Sequence, residues 1–94
     1  MRTFTKEQLA ELLAKHKAWL NNEDEGERAD LRYADLSSSN LSYADLRYAN
    51  MRSADLRYAD LSSSNLSYAD LRFLQSANGK ELACMNAGKY QALS

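Results

Sequence analysis

Forty-five consecutive residues of this chain obey one rule with a period of five. From residue 29 to residue 73 the sequence runs ADLRY ADLSS SNLSY ADLRY ANMRS ADLRY ADLSS SNLSY ADLRF, nine units in unbroken register. The units are centred on Leu31, Leu36, Leu41, Leu46, Met51, Leu56, Leu61, Leu66 and Leu71. Two residues before each centre stands Ala, or Ser at Ser39 and Ser64, and between them is always Asp or Asn. Neither regular element accommodates this rule. Five residues advance an α-helix by about 500°, so the leucines would spread over every face. On an unbroken strand an odd period sends successive leucines to opposite faces. The pattern is met if the chain bends once per unit. Each Ala-Asp-Leu is then a short extended side with Ala and Leu inward and Asp outward, and the next two residues turn the corner. Such units bury their apolar side only by stacking, which is the logic of a solenoid.

Ala29-Asp30-Leu31-Arg32-Tyr33 and its eight successors resemble the A(D/N)LXX units of the pentapeptide repeat family, and the resemblance covers about half the chain. It implies an all-β solenoid, a right-handed quadrilateral β-helix with four units per coil and small Ala or Ser side chains beside the central Leu in a narrow interior. Nine units then make about two coils, a tower roughly 10 Å tall at ~4.8 Å per stacked strand.

The chain divides as one domain, residues 1–94, with a capping helix and linker over 1–28, the repeats over 29–73 and a C-terminal β cap over 74–94. Residues 6–21 read as an amphipathic helix. Thr5 is placed as N-cap, Gln8 completes a capping box, and Phe4 and Leu9 stand where a hydrophobic staple would. Leu9, Leu12, Leu13, Trp19 and Leu20 share one face and are expected to pack over the first coil, whose edge would otherwise be open. His16 lies in that stripe and reads as a half-buried structural histidine. The acidic stretch 21–28 links helix to coil.

From Leu74 the five-residue rule stops. Asn78-Gly79 signals a two-residue turn, and Leu82-Ala83-Cys84-Met85 and Tyr90-Gln91-Ala92-Leu93 are strand-like. This resembles the start of the longer β tail of phage and bacterial relatives, so the expectation is a truncated cap. An open edge there favours a homodimer through the C-terminal β edge, reinforced by Leu82, Met85 and Leu93.

With four units per coil, residues twenty apart stack. Arg32, Arg52 and Arg72 then form a ladder beside Asp30, Asn50 and Asp70, and their mixed signs favour local pairing over a charged patch. Tyr48 falls above Tyr68 at one corner, and Tyr33, Ser53 and Phe73 share another. Tyr48 and Tyr68 are candidate protein contacts, although the favoured reading of the corner aromatics is that they cover coil backbone. Residues 29–47 recur identically as 54–72, an offset of twenty-five. A natural duplication and an engineered one both fit this.

Composition narrows function mainly by exclusion. Net charge is −1, which gives no bulk field for direct nucleic-acid binding or an acidic membrane. No apolar run approaches a membrane span and the N-terminus lacks a signal-peptide core, so the expected location is the cytoplasm. Cys84 is the single cysteine and His16 the single histidine; the glycines are Gly26, Gly79 and Gly88, with no phosphate-binding loop. The aspartates recur by rule, as structural residues do. No catalytic, cofactor-binding or metal-ligating set is expected. The function that follows is a non-enzymatic scaffold or protein-binding module of phage or bacterial type. The alternative, implied by the resemblance for some members, is a DNA-mimicking regulator of DNA gyrase or topoisomerase. That role needs a long acidic rod, whereas the repeat holds six aspartates against five arginines.

Overall fold

The first regular element is the helix α1, Lys6–Leu20. In this computed structural model, which describes residues 2–75, its N-terminus is closed by the expected box. The Gln8 N–H donates to Thr5 Oγ1 at 3.0 Å, and the Thr5 N–H donates to Gln8 Oε1 at 2.9 Å. Two of the orphan donors of the first turn are thereby satisfied reciprocally. The flanking Phe4 and Leu9 both pack against the core. At the other end Asn22 adopts a left-handed conformation, φ 58°. Its N–H donates to Trp19 C=O at 3.1 Å, and the Glu23 N–H donates to Ala18 C=O at 2.9 Å. These two bonds are the Schellman pattern, with Asn in the place usually taken by glycine.

The acidic link then doubles back on the helix. The Glu27 N–H donates to Lys15 C=O at 3.0 Å, and Gly26 lies so close that a Cβ there would fall 2.2 Å from Trp19 N and 2.4 Å from Trp19 Cα. Only glycine permits this approach. The helix departs from the sequence reading at one position. Leu9, Leu12 and Leu13 pack on the core, but Trp19, at the end where the link crosses, is exposed.

The repeats form a stack with a pitch of twenty residues. Parallel bridges join Asp30 to Asn50 and Asn50 to Asp70 on the first wall, and Asp35 to Asp55 and Asp55 to Gln75 on the second. Asn40 pairs with Asp60 on the third wall and Asp45 with Asn65 on the fourth. Arg2 adds a parallel bridge to Ala34 at the N-terminal edge. The expected extended sides are shorter than a strand: each wall contributes one bridged residue per unit, because the turn consumes the rest. Among the described residues α1 is the one regular element. The ladder also runs to Gln75, two residues past the last position that fits the sequence rule, since Leu74 and Gln75 occupy the Ala and Asp places without their side chains.

The unit 49–53 shows how every backbone N–H is placed. Ala49 donates to Leu46 C=O, closing a turn, and Asn50 donates back to Ala29 C=O. Met51 and Ser53 donate forward to Asp70 and Arg72 C=O. The remaining donor, Arg52 N–H, goes to the Asn50 side chain, Oδ1, at 3.3 Å. All nine units repeat this last bond, from the residue after the centre to the Asp or Asn before it, at 3.0–3.3 Å. The invariance of Asp or Asn thus has a cause beyond facing outward. A short side-chain oxygen is needed to satisfy a donor that the ladder leaves over. The last residue of each unit, from Tyr33 (φ 58°) to Phe73 (φ 59°), is left-handed. With an i to i+3 bond and positive φ at the third position only, the corners are type II turns.

Inside, all nine central residues are buried, the most accessible being Leu61 at 4%. The small positions beside them hold Ala, and Ser is accepted because its hydroxyl has a partner. Ser64 Oγ donates to Leu61 C=O at 2.7 Å and Ser39 Oγ to Leu36 C=O at 2.5 Å. One outward position is not outward: Asp55, between Asp35 and Gln75 in its column, is buried.

Candidate interaction surface

Six of the nine units carry no net charge, the exceptions being those of Asp35, Arg52 and Asp60. Where Arg follows the centre, its guanidinium grips the preceding Asp in a two-pronged pair. Arg32–Asp30, Arg47–Asp45, Arg57–Asp55 and Arg72–Asp70 all have Nε–Oδ1 and Nη2–Oδ2 distances of 2.7–2.9 Å. Where Ser follows the centre, its hydroxyl donates to the same oxygen at 2.6–2.7 Å. The Arg32 hydrogen bond holds the Asp30 carboxyl down to about 2, and the Arg72 bond does the same for Asp70. Arg52 breaks the rule, since Asn50 offers no carboxylate; its guanidinium lies over the Phe73 ring, 5.3 Å from the centroid. The expected Arg32–Arg52–Arg72 column is therefore a paired surface with one member on an aromatic ring.

The corners carry the apolar surface. Tyr48 and Tyr68 stack with centroids 5.2 Å apart and planes at 12°. Tyr43 and Tyr58 stand out at 81% and 76% exposure, each above or below a serine corner residue, Ser63 or Ser38. Tyr33 and Phe73 are exposed as well. These rings cover little backbone, contrary to the favoured sequence reading. The left-handed backbone of the corner points them away from the walls. The other candidate contacts, Leu82, Met85 and Leu93, lie outside the described residues, as does the β cap.

At the N-terminal end a cleft of about 460 Å³ separates Arg2, Phe4 and α1 from the start of the coil. Most of its charged groups are engaged: Lys15 with Glu11 at 3.8 Å, Arg2 with Asp30 at 3.5 Å, and Arg28 Nε donating to Tyr48 C=O at 2.6 Å. Next to it His16 is wholly buried rather than half-buried as its sequence position suggested. Both ring nitrogens are used by backbone: the Ala29 N–H donates to Nδ1 at 2.9 Å, and Nε2 lies 2.8 Å from Arg47 C=O. The signal for this was weak, a histidine in mid-stripe thirteen residues before the first repeat. Among the described residues there is no group of three His, Cys, Asp or Glu able to hold a metal, and no helix long and apolar enough to cross a membrane.

A stack of five-residue units with a twenty-residue pitch and an Asx-closed turn in every unit defines a repeat protein, and its surface is a lattice of paired walls and aromatic corners. The family model for pentapeptide repeats matches residues 27–57 and 44–75, with eight copies, and the chain belongs to the pentapeptide repeat family. No curated protein and no solved structure matches the chain. Membership is consistent with a non-enzymatic repeat protein.

Proposed function

We propose that the chain is a cytoplasmic, non-enzymatic protein-binding module built on a right-handed quadrilateral β-helix, and that it binds through its aromatic corners. The observation that carries this reading is the Tyr48–Tyr68 pair, stacked yet still 46% and 59% exposed. A tyrosine fixed at a turn and stacked on its neighbour loses little conformational freedom on binding, and such rings dominate protein contacts. The walls supply a non-sticking frame, because most of their charges are paired locally. That same pairing weighs against DNA mimicry. Of the six repeat aspartates, Asp30, Asp45, Asp55 and Asp70 are each held by an arginine. A second copy is the partner proposed for the segment 74–94, through backbone pairing supported by Leu82, Met85 and Leu93.

A photo-crosslinking residue placed at Tyr48 should give protein adducts in cells, while the same residue at Ser62 on the third wall should not. Equal labelling at both positions, or none at Tyr48, would refute the corner reading. Potent inhibition in a gyrase supercoiling assay would replace it with the topoisomerase role. Sedimentation at micromolar concentration tests the dimer, which a strictly monomeric chain would eliminate.

A further inference from the structure

The His16 side chain hydrogen-bonds α1 to both the first and the fourth unit of the coil. Its Nδ1 accepts from Ala29, the first residue of the repeats, and its Nε2 faces a carbonyl, Arg47 C=O. A carbonyl can only accept and a backbone N–H can only donate. The ring is therefore neutral, with its proton on Nε2. A second proton has one place to go, Nδ1, where it would confront the Ala29 N–H. Ala29 is itself buried, so its N–H could not turn to water without parting the helix from the coil. We propose that His16 is a proton-sensitive latch, which docks α1 on the first coil at neutral pH and loosens it in mild acid.

The charged groups facing the ring come from the coil and the link. Asp45 attracts an added proton, but its carboxylate is already gripped by Arg47, and Arg47 and Arg28 both repel the proton. From its own helix, Trp19 stacks on the imidazole at 5.6 Å and 19°, a contact that tolerates either charge state. Burial outweighs the attraction and holds the His16 pKa below its ordinary 6.5. A folded-state pKa below the unfolded one gives docking that is complete above about pH 6.5 and weakens as pH falls toward the docked value. What opens is the N-terminal end of the molecule: the Leu9, Leu12 and Leu13 face of α1 and the coil edge beneath it.

His16 is the chain's single histidine, so its titration in the intact protein is assignable directly by NMR. The expected midpoint lies below 6.5, and a midpoint at or above 6.5 would overturn the latch. Hydrogen exchange of α1 amides, corrected for intrinsic rate, should show opening increase by about threefold to tenfold between about pH 7.5 and about pH 5.5. Buried ladder amides such as Met51, which exchange through global unfolding, should lose protection by no more than the same factor, because unfolding frees His16 as well. A change in α1 opening of less than about twofold would refute the proposal. In His16→Gln, whose amide can both accept from Ala29 and donate to Arg47, the pH dependence should vanish. Persistence of it in that variant would assign the effect to another group. If His16→Gln does not fold, the midpoint and exchange of the unaltered chain decide the matter alone.

Discussion

Met51 occupies a fully enclosed position in the stack. The ladder places it in the middle of a three-layer column, with Leu31 above and Leu71 below, and it is 0% exposed. It is also the one centre that is not leucine. Truncation by Met51→Ala removes three heavy atoms beyond Cβ. At ~0.8 kcal/mol per methylene-sized group, the lost transfer free energy is roughly 2 kcal/mol. The coil cannot collapse onto the gap, because its backbone is held by hydrogen bonds on both sides, so a cavity contribution brings the expected loss to about 3 kcal/mol. A domain of this size has about 5–14 kcal/mol in all, so the variant should remain folded but denature at markedly lower urea. Met51→Leu conserves volume and extends the rule of the other eight centres; it should cost less than about 1.5 kcal/mol. Urea titration followed by circular dichroism gives both values, with the slope unchanged if only stability has shifted. A loss below about 1 kcal/mol for the alanine variant would refute a tightly packed interior. So would a leucine variant as damaged as the alanine one.

Three further outcomes are expected. Gly26→Ala should destabilise by more than about 2 kcal/mol, because its Cβ would meet Trp19 backbone at 2.2 Å; a thermal melt matching the parent would show that the link is not seated as described. Ala54→Ser should cost less than about 1 kcal/mol, since the same place at Ser64 gives the hydroxyl a carbonyl, whereas Ala54→Val should cost about 1–3 kcal/mol by overpacking; equal losses on denaturation would count against this account. Acid should act on the walls through Asp30 and Asp70, whose folded pKa of about 2 lies below the ordinary 3.8. The stability they contribute is present above 3.8 and lost as pH falls toward 2, and Asp70→Asn should flatten that part of a pH–stability curve.

The buried column was legible in the sequence because leucine burial follows from register alone, and one misplaced centre would have broken it. The capping box was legible for a similar reason: Thr5 and Gln8 act within one turn. What escaped depends on where backbone groups point. The role of Asp and Asn is visible only once the ladder has used every other donor of the unit. The depth of His16 depends on Ala29 and Arg47, thirteen and thirty-one residues away, presenting a donor and an acceptor side by side. The exposure of Trp19 is not recorded in the helical stripe, which groups it with the buried face. At the surface, spacing alone stacked Tyr48 on Tyr68, but the outward aim of the other corner rings comes from the left-handed turn.

The mismatch between the twenty-residue pitch and the twenty-five-residue duplication gives identical sequence two different fates. Tyr43 and its copy Tyr68 have the same neighbours along the chain, yet one stands beside Ser63 and is 81% exposed while the other is stacked on Tyr48. Adding or removing one five-residue unit acts as a quarter-turn of a ratchet. The hydrogen-bond lattice re-engages and leucine still meets leucine. Every side chain downstream is delivered to the next wall. Such a scaffold can shuffle which residues meet on its exterior while its interior stays built of Leu or Met centres beside Ala or Ser, and any insertion that is not a multiple of five forfeits that freedom.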